Sequence, residues 1–394
     1  MKTSRRVYLD NNATTRVDER VIDYMERFFR DVYGIPSSQF SHSPGIRAKE
    51  AIEESRAVIA GELGCKEKEV VFTSGAAESN NLAIKGVARA AGRSARNKIV
   101  VSKIEEFSVL NSARSLSESG FLVQEVNVDG QGFVDLDHLQ SLLDEKTLLV
   151  SIMCANHEVG TVQDLRAVAR MAHEHGALIH SDAAAAFMHV PIGVYDMELD
   201  LASITSHTIY GPKGVGALFV RTGTPIKKVM DGGYNEFNMR AGVENVPGIA
   251  GFGKAVELFS SQDSTRVREL RDLFYQQLTS GIEDVLLNGS SDFARRLPNN
   301  LNVSFQLVEG ESVVLHLDMR GIAVITGSAC FSRALEASHV LLAMGFSHER
   351  AHGSIRFSLG KDLTREDIDY TVLQTGEVIR RLRELSPLKT TKEV

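Results

Sequence analysis

The sequence predicts an α/β protein built on a mostly parallel sheet. Short runs rich in Val, Ile and Leu alternate with longer segments of helical periodicity, an order typical of right-handed strand–helix–strand crossovers. Most of these runs are continuously apolar, which indicates strands that are buried on both faces. In such sheets ligands bind at the carboxyl ends of the strands, so the residues that follow each strand are the first candidates for a site.

The elements of this sheet occupy the first two-thirds of the chain. The short run Val70–Phe72 precedes a small-residue turn. The further predicted strands are Lys98–Ser102, Phe121–Val128, Thr147–Met153, Ala177–Ser181, Leu201–Thr205 and Val215–Val220. The predicted helices between them are Ser79–Ala91, Ser108–Glu118, Leu136–Leu143 and Leu165–His175.

A polar break at Ser260–Ser264 separates a C-terminal part with a different pattern. Its predicted strands are Leu301–Phe305, Val313–Leu317 and Ile355–Leu359, and its predicted helices are Thr265–Ile282, Glu311–Met319, Ala337–Met344 and Arg365–Leu385. One strand overlaps the second of these helices, so the pattern leaves both readings open there. We expect a large α/β domain at 15–260 and a smaller α+β domain made of 1–14 and 261–394.

Composition narrows the class of protein. The 394 residues contain 44 Lys and Arg against 51 Asp and Glu, a net charge of −7, which argues against nucleic acid as a partner. The three cysteines are too few for a disulfide framework and indicate a reducing compartment. No run approaches the roughly 20 apolar residues of a membrane span, and no apolar core follows the basic N-terminus. We therefore expect a cytoplasmic protein without a membrane partner.

Three short strings have residue types that suit a ligand site. The turn Ser74–Asn81 opens a helix, where free N–H groups attract anions, although a plain tight turn is equally consistent. Asp182 ends a buried strand and suits a cationic ligand or, alternatively, a helix cap. Cys330 lies in the Gly/Ser-rich string Gly327–Cys330, a setting more typical of a reactive thiol than of a buried one.

Taken together, these strings resemble cysteine desulfurases of the NifS/IscS kind, within the class V aminotransferase group of fold-type I pyridoxal phosphate (PLP) proteins. The resemblance covers nearly the whole chain. The matching strings are Tyr8–Thr15, Phe72–Asn81, Asn156–Gly160, Asp182, Tyr210–Gly214, Arg240–Asn245, Gly327–Cys330 and Ser354–Gly360. It implies a fold-type I fold with a mostly parallel seven-stranded sheet, a smaller α+β domain and a homodimer with its pocket at the subunit interface.

The resemblance also implies a chemistry. Members of this family bind PLP on a lysine, release sulfur from cysteine as a persulfide on a loop cysteine, and pass it to an iron–sulfur scaffold such as IscU. By this resemblance the loop cysteine is Cys330. The implied remnants of the PLP pocket are Asp182, Asn156, His207 and Thr205, and Arg356 is the implied remnant of the substrate-carboxylate site.

The sequence departs from the family at the position that defines its chemistry. Thr208 stands where the PLP lysine belongs, and a threonine has no amine with which to form the imine. Lys213 is a poor substitute, because the family already has a lysine at its position. The other departures are Glu106 for the histidine that stacks on the PLP ring, Ala185 for a glutamine, Ala77 and Val243 for two phosphate-binding threonines, and Ile35 for an asparagine.

These changes predict an IscS-like homologue in iron–sulfur cluster assembly that is not a working desulfurase. We expect PLP to be absent or weakly bound, and Cys330 to contact or ligate the iron of a cluster shared with an IscU-like scaffold. Two alternatives stay open: an active PLP-dependent desulfurase that forms a Cys330 persulfide, using Lys213 or an external amine, and a PLP-independent persulfide carrier. Without a pyridinium partner, we expect Asp182 to bond His207, a nearby amide or water.

Overall fold

The computed structural model describes residues 5–92, 94–327 and 337–385. Its centre is a seven-stranded sheet with the strand order β2-β8-β7-β6-β5-β3-β4. Only β8 runs antiparallel to the other strands, so the predicted mostly parallel sheet is confirmed. The strands are β2 (Val70–Thr73), β3 (Lys98–Ser102), β4 (Leu122–Val126), β5 (Thr147–Ser151), β6 (Leu178–Asp182), β7 (Leu201–Thr205) and β8 (Gly216–Val220).

Both faces of this sheet are buried, which explains why its strands are continuously apolar. Successive side chains of a strand point to opposite faces. Accordingly, Val70 and Phe72 join one hydrophobic core while Val71 joins another on the opposite face. The covering helices are α1 (Glu19–Arg30), α2 (Ser43–Leu63), α3 (Ala76–Ala91), α4 (Phe107–Ser115), α5 (Leu136–Leu142), α6 (Leu165–Glu174) and α7 (Val246–Leu258).

The rest of the chain forms a second layered unit with its own core. Its antiparallel sheet has the order β12-β10-β9, and β1 near the N-terminus pairs in parallel with β11. The strands are β1 (Val7–Tyr8), β9 (Val285–Asn288), β10 (Asn300–Phe305), β11 (Ile322–Ala323) and β12 (Ser354–Ser358). The helices are α8 (Ser261–Gly281), α9 (Gly310–Asp318), α10 (His339–Ala343), α11 (His348–His352) and α12 (Arg365–Leu385). The domain boundaries proposed from the sequence stay a prediction.

One predicted strand is wrong. Val313–Leu317 lies inside helix α9, where Val313 and Leu317 are four residues apart on one buried face. A short apolar run cannot be assigned to strand or helix by periodicity alone, and here the helix reading of 311–319 prevails. Short 3-10 turns at Pro36–Ser38, Glu67–Glu69, Leu116–Ser119, Glu236–Asn238 and Phe293–Arg295 complete the described elements. Within the described ranges, no helix has the length and apolar character to cross a membrane.

Candidate functional site

The candidate site lies at the carboxyl ends of the parallel strands, as the fold class predicts. Asp182 is the last residue of β6 and Thr205 is the last residue of β7. These two strands are neighbours, with Asp182 in register with Ser203. The loops after β3 and β7 add Glu106 and Thr208.

Asp182 is bound by amides. Its Oδ2 accepts from Asn80 Nδ2 at 2.7 Å and its Oδ1 accepts from the backbone N–H of Ala184 at 2.9 Å. Burial raises the pKa of the Asp182 carboxyl to about 6, although these two hydrogen bonds oppose the shift. The predicted amide partner is therefore confirmed. His207 has a different partner, because its Nδ1 lies 2.8 Å from Thr205 Oγ1.

Glu106, which replaces the stacking histidine, is a helix cap in this chain. Its Oε2 accepts from the backbone N–H of Ser108 at 2.6 Å, and it is the N-cap of α4. Asn80 Nδ2 also donates to Ser108 Oγ at 2.8 Å, so Asn80 links Asp182 to the start of α4. The charge of Glu106 adds to the rise in the Asp182 pKa. This part of the pocket is thus acidic where the family has an aromatic ring.

Thr208 is buried, and its side chain is used by the fold. Its Oγ1 donates to the carbonyl oxygen of Ala184 at 3.0 Å, and its own carbonyl lies 3.2 Å from His189 Nε2. Lys213, the amine nearest in sequence, is exposed. Burial lowers the pKa of His207, and the positive charge of Lys213 adds to this shift. The position that defines the family's covalent chemistry is therefore filled by a hydroxyl with a backbone partner.

The start of α3 is the candidate phosphate turn. Gly75, at φ 150°, precedes the helix, and Ala77 supplies no hydroxyl. The backbone N–H of Ser74 donates to Glu78 Oε2 at 2.7 Å, and Arg240 Nε donates to Glu78 Oε1 at 3.0 Å. One free N–H of this turn is thereby satisfied by the protein's own carboxylate.

The other two predicted pocket residues are Arg356, in β12 of the second unit, and Asn156, in the turn that follows β5. Arg356 Nη2 donates to Asp10 Oδ1 at 2.6 Å and its Nη1 to the carbonyl of His157 at 3.3 Å. Asn156 Oδ1 accepts from the N–H groups of Glu158 and Val159, both at 2.9 Å. Asn156 therefore shapes its own turn, and Arg356 already has a carboxylate partner.

The three cysteines differ in setting. Cys330 lies outside the described residues. Burial raises the pKa of the Cys65 and Cys154 thiols to about 12, and this makes both poor nucleophiles and poor metal ligands at neutral pH. Among the described residues, no group of three or more His, Cys, Asp or Glu is placed to hold a metal ion.

Two buried carboxyls were missed by the sequence reading. Burial raises the pKa of Glu105 to about 8 and that of Glu158 to about 7. Glu105 Oε1 accepts from Ser102 Oγ at 2.5 Å and from the N–H of Met153 at 2.8 Å. Glu158 belongs to the matching string Asn156–Gly160, but nothing in that string reveals that its side chain is buried.

These residues do not fit PLP as a covalently held cofactor. An imine needs an amine at position 208, and Thr208 Oγ1 is instead a donor to the main chain. Ring stacking needs a flat apolar face, and Glu106 presents a carboxylate that caps α4.

Comparison with known proteins gives the family. Residues 7–371 match the family model described as aminotransferase class-V. The chain is 46% identical over 388 residues to "Cysteine desulfurase IscS" of Dictyoglomus turgidum, with 98% of this chain and 97% of that protein covered. It is 44% identical over 384 residues to "Cysteine desulfurase IscS 1" of Archaeoglobus fulgidus, at 97% and 99% coverage.

Solved structures agree with this fold. A structure titled "NifS-like protein" superposes with a TM-score of 0.88 at 37% identity and covers 96% of this chain and 100% of its own. A "NifS-like protein from Rickettsia africae" superposes with a TM-score of 0.85 at 32% identity, at 95% and 100% coverage. The fold is therefore that of the fold-type I PLP-dependent transferases, and the chain belongs to the IscS/NifS-like cysteine desulfurase family.

Proposed function

We propose that this protein acts in iron–sulfur cluster assembly as a partner of an IscU-like scaffold, without desulfurase activity of its own. Cys330 contacts or ligates the iron of the scaffold's cluster, and PLP is absent or weakly bound. The protein works as a homodimer in the cytoplasm, with neither nucleic acid nor membrane as a partner. The sulfur of the cluster comes from another source.

The observation that carries this proposal is the threonine at position 208, where the family has the PLP lysine. A threonine cannot form the imine, and the hydrogen bond from its hydroxyl to Ala184 makes the residue part of the packed pocket wall. The family's first chemical requirement is therefore missing from the chain itself.

The phosphate side of the pocket supports the same conclusion. Ala77 and Val243 lack the two hydroxyls that the resemblance implies for phosphate binding. A hydrogen bond to a charged group contributes roughly 1.5–3 kcal/mol, so losing two weakens binding by about 10²- to 10⁴-fold. Noncovalent PLP would have to be held without the imine, the stacking ring and these bonds.

Cys330 supports the cluster role through its chemistry. A thiolate is the preferred protein ligand of iron–sulfur clusters, and a scaffold with three cysteines leaves one iron position open. To bind there, the Cys330 thiol loses its proton and its sulfur forms one bond to iron, with no change in oxidation state. Cys65 and Cys154 do not compete for this role, because burial raises their pKa values to about 12.

Exposed apolar residues support the homodimer. Residues of the segments 36–39 and 233–244, together with Lys49, Ile52 and Arg56 of α2, line a cavity of about 620 Å³. Around it, Phe40 and Tyr234 are 93% and 88% exposed, and Val243 is 65% exposed. Large apolar side chains grouped and exposed to this degree are typical of an interface, and a second copy of the chain is the partner implied by the family.

The test is cluster retention with and without Cys330. The protein is co-expressed with an IscU-like scaffold, and the complex is isolated anaerobically. The iron and sulfide contents of the complex are then measured. We expect the wild-type complex to contain iron and sulfide. The complex of Cys330→Ala should contain at least about tenfold less of both, whereas that of Cys65→Ala should contain as much as the wild type. Retention of the cluster by Cys330→Ala would contradict the proposal. A Cys330 persulfide without iron would favour a persulfide carrier.

A further inference from the structure

A small cavity lies where the two units of the protein meet, and neither the family chemistry nor the proposed function uses it. Its volume is about 20 Å³. The large unit contributes the end of α7 and residues 209 and 210, and the second unit contributes the start of α8 and residues 298, 299 and 361. Part of the polar break Ser260–Ser264, which separates the two patterns of the sequence, therefore forms its wall.

Two residues on this wall have buried oxygens without a hydrogen-bond partner among the described residues. One is Oδ1 of Asn299, a side chain that is 2% exposed. The other is Oγ of Ser264, near the start of α8. A polar atom that is buried without a partner is costly, so both oxygens indicate a ligand in the cavity.

The orientation of the Asn299 amide is fixed by its neighbours. Its Nδ2 donates to Asn12 Oδ1 at 2.8 Å, and Asn12 in turn uses its own Nδ2 to donate to the carbonyl of His157 at 3.0 Å. Turning the Asn299 amide over would place its oxygen against the oxygen of Asn12. Oδ1 of Asn299 is therefore an acceptor that cannot find its partner by a flip.

Tyr210 supplies a donor on the same wall. Its hydroxyl oxygen accepts from the backbone N–H of Lys361 at 2.8 Å, so its own proton needs a different partner. Burial raises the Tyr210 pKa, and the hydroxyl therefore keeps this proton at neutral pH. The wall thus combines a fixed acceptor with an available donor, and the Ser264 hydroxyl can act as either.

The charged groups on the wall are already paired. Lys361 Nζ pairs with Asp18 Oδ2, and Asp263 Oδ1 lies 3.5 Å from Arg266 Nη2. His189 is neutral at pH 7, because burial lowers its pKa. An ion in the cavity would lie beside charges of both signs, so the wall favours a neutral ligand that both donates and accepts.

We propose that this cavity is a binding site for water, in which one or two ordered molecules join the two units. A water molecule can donate to Asn299 Oδ1, accept from the Tyr210 hydroxyl and bond Ser264 Oγ at the same time. A buried water needs roughly 10–15 Å³ and two to four polar partners, and the cavity of about 20 Å³ meets both conditions. The inference goes beyond the proposed function and depends on neither Cys330 nor a cluster.

The site bears on the conformation of Tyr210. This residue has φ 64°, in the left-handed region that favours glycine, so its surroundings must stabilise it there. Its N–H donates to Thr15 Oγ1 at 2.8 Å, which holds it within the large unit. The water adds a link from its hydroxyl to α8 and to Asn299 in the second unit.

The direct test is a high-resolution crystal structure of the full chain, followed by xenon pressurisation of the same crystals. We expect one or two density peaks within about 2.6–3.2 Å of Asn299 Oδ1 and Ser264 Oγ, and no xenon, because xenon enters dry apolar cavities. A cavity without density, or with a xenon atom in it, would overturn the inference. An anomalous signal from an ion at these positions would overturn it as well.

Ser264→Val tests what the site contributes to the junction. Valine removes the hydroxyl and fills the cavity with methyl groups, so the water is expelled and Asn299 Oδ1 and the Tyr210 hydroxyl lose their partner. We expect Tm to fall by about 2–4 °C. Ser264→Ala removes only the hydroxyl and leaves room for the water, so Tm should change by less than about 1 °C.

Ser261→Val is the matched control, because Ser261 is an exposed serine at the start of the same helix. It measures the cost of valine in α8 without any change in the cavity. A Tm of Ser264→Val equal to or above that of Ser261→Val would show that the cavity is a packing gap, and would overturn the inference. If Ser264→Val does not fold, the density at Asn299 Oδ1 in the wild type decides.

Discussion

Two turns at the same end of the protein differ in how their side chains are used. The turn 156–160 is held by many strong bonds, from Asn300, Asn302 and the buried cation Arg296. The segment after β7 is held by Thr15, whose Oγ1 donates to the carbonyl of His207 at 2.8 Å, and by His189, whose Nε2 lies 3.2 Å from the carbonyl of Thr208. The side chain of Thr208 itself makes one hydrogen bond, to Ala184. The first turn is fixed in part by a buried cation, whereas the second is fixed by neutral side chains and carries a threonine where the family has the PLP lysine.

The comparison teaches that the fold around position 208 does not depend on a lysine there. Sheet, crossovers and turns depend on apolar patterning and backbone bonding, and these depend little on whether position 208 carries an amine. Asp182 likewise has hydrogen-bond partners within the chain, the side-chain amide of Asn80 and the backbone N–H of Ala184. The contribution of each turn to the free energy of unfolding can therefore be measured separately from any activity.

The largest expected effect is at Arg296. This residue is 2% exposed and donates to the carbonyl oxygens of Val159, Asn288 and Ser290 at 2.6–3.1 Å. Arg296→Met leaves these buried acceptors unsatisfied, so we expect the free energy of unfolding to fall by about 3–5 kcal/mol. Urea denaturation measures it.

Thr208→Val is the matched control for that experiment. It removes one neutral hydrogen bond at similar volume and should cost about 1 kcal/mol. Comparable losses in the two variants would contradict the contrast between the turns.

A smaller effect, with a defined pH window, is expected at Asp182. Its pKa is raised from 3.8 to about 6, so the folded state holds the proton more tightly than the unfolded state and loses stability as pH rises through this range. Asp182→Asn cannot ionise. The difference in unfolding free energy between variant and wild type should therefore shift by about 2 kcal/mol in favour of the variant from pH 4.5 to pH 7.

Because the comparison is with the wild type, the buried histidines His157 and His180, whose pKa values burial lowers to about 3, contribute equally to both proteins. Thermal or urea unfolding at each pH gives the two curves. If the difference in unfolding free energy between the two proteins did not change with pH, the Asp182 pKa would not be raised in the folded state. That result would contradict the view that its pocket lacks a cationic partner.

Much of the fold follows from the sequence. The bounds of β3, β7 and α12 agree with the predicted ones residue for residue, because each is a strongly apolar run or a long periodic helix. The start of α4 at Phe107, one residue before the predicted Ser108, follows from the Glu106 cap. The error at 313–317 arose where a five-residue apolar run suits both strand and helix.

The site was only partly predictable. An amide partner for Asp182 follows from the cost of a buried carboxylate, but its identity as Asn80, 102 residues away, does not. The side chain of Glu158 likewise lies against Gly327, about 170 residues further along the chain, and no local pattern encodes this contact. Residue type predicts the need for a partner, while topology supplies it.

The most direct measurement of the central claim is the absorption spectrum of the purified protein titrated with PLP, followed by sulfide release from cysteine. Thr208→Lys, alone and with Glu106→His, is the gain-of-function control. We expect the wild type to show neither the band of a lysine-bound imine nor sulfide above background, and the double variant to gain the band. An imine band in the wild type together with sulfide release would contradict the account and identify an active desulfurase.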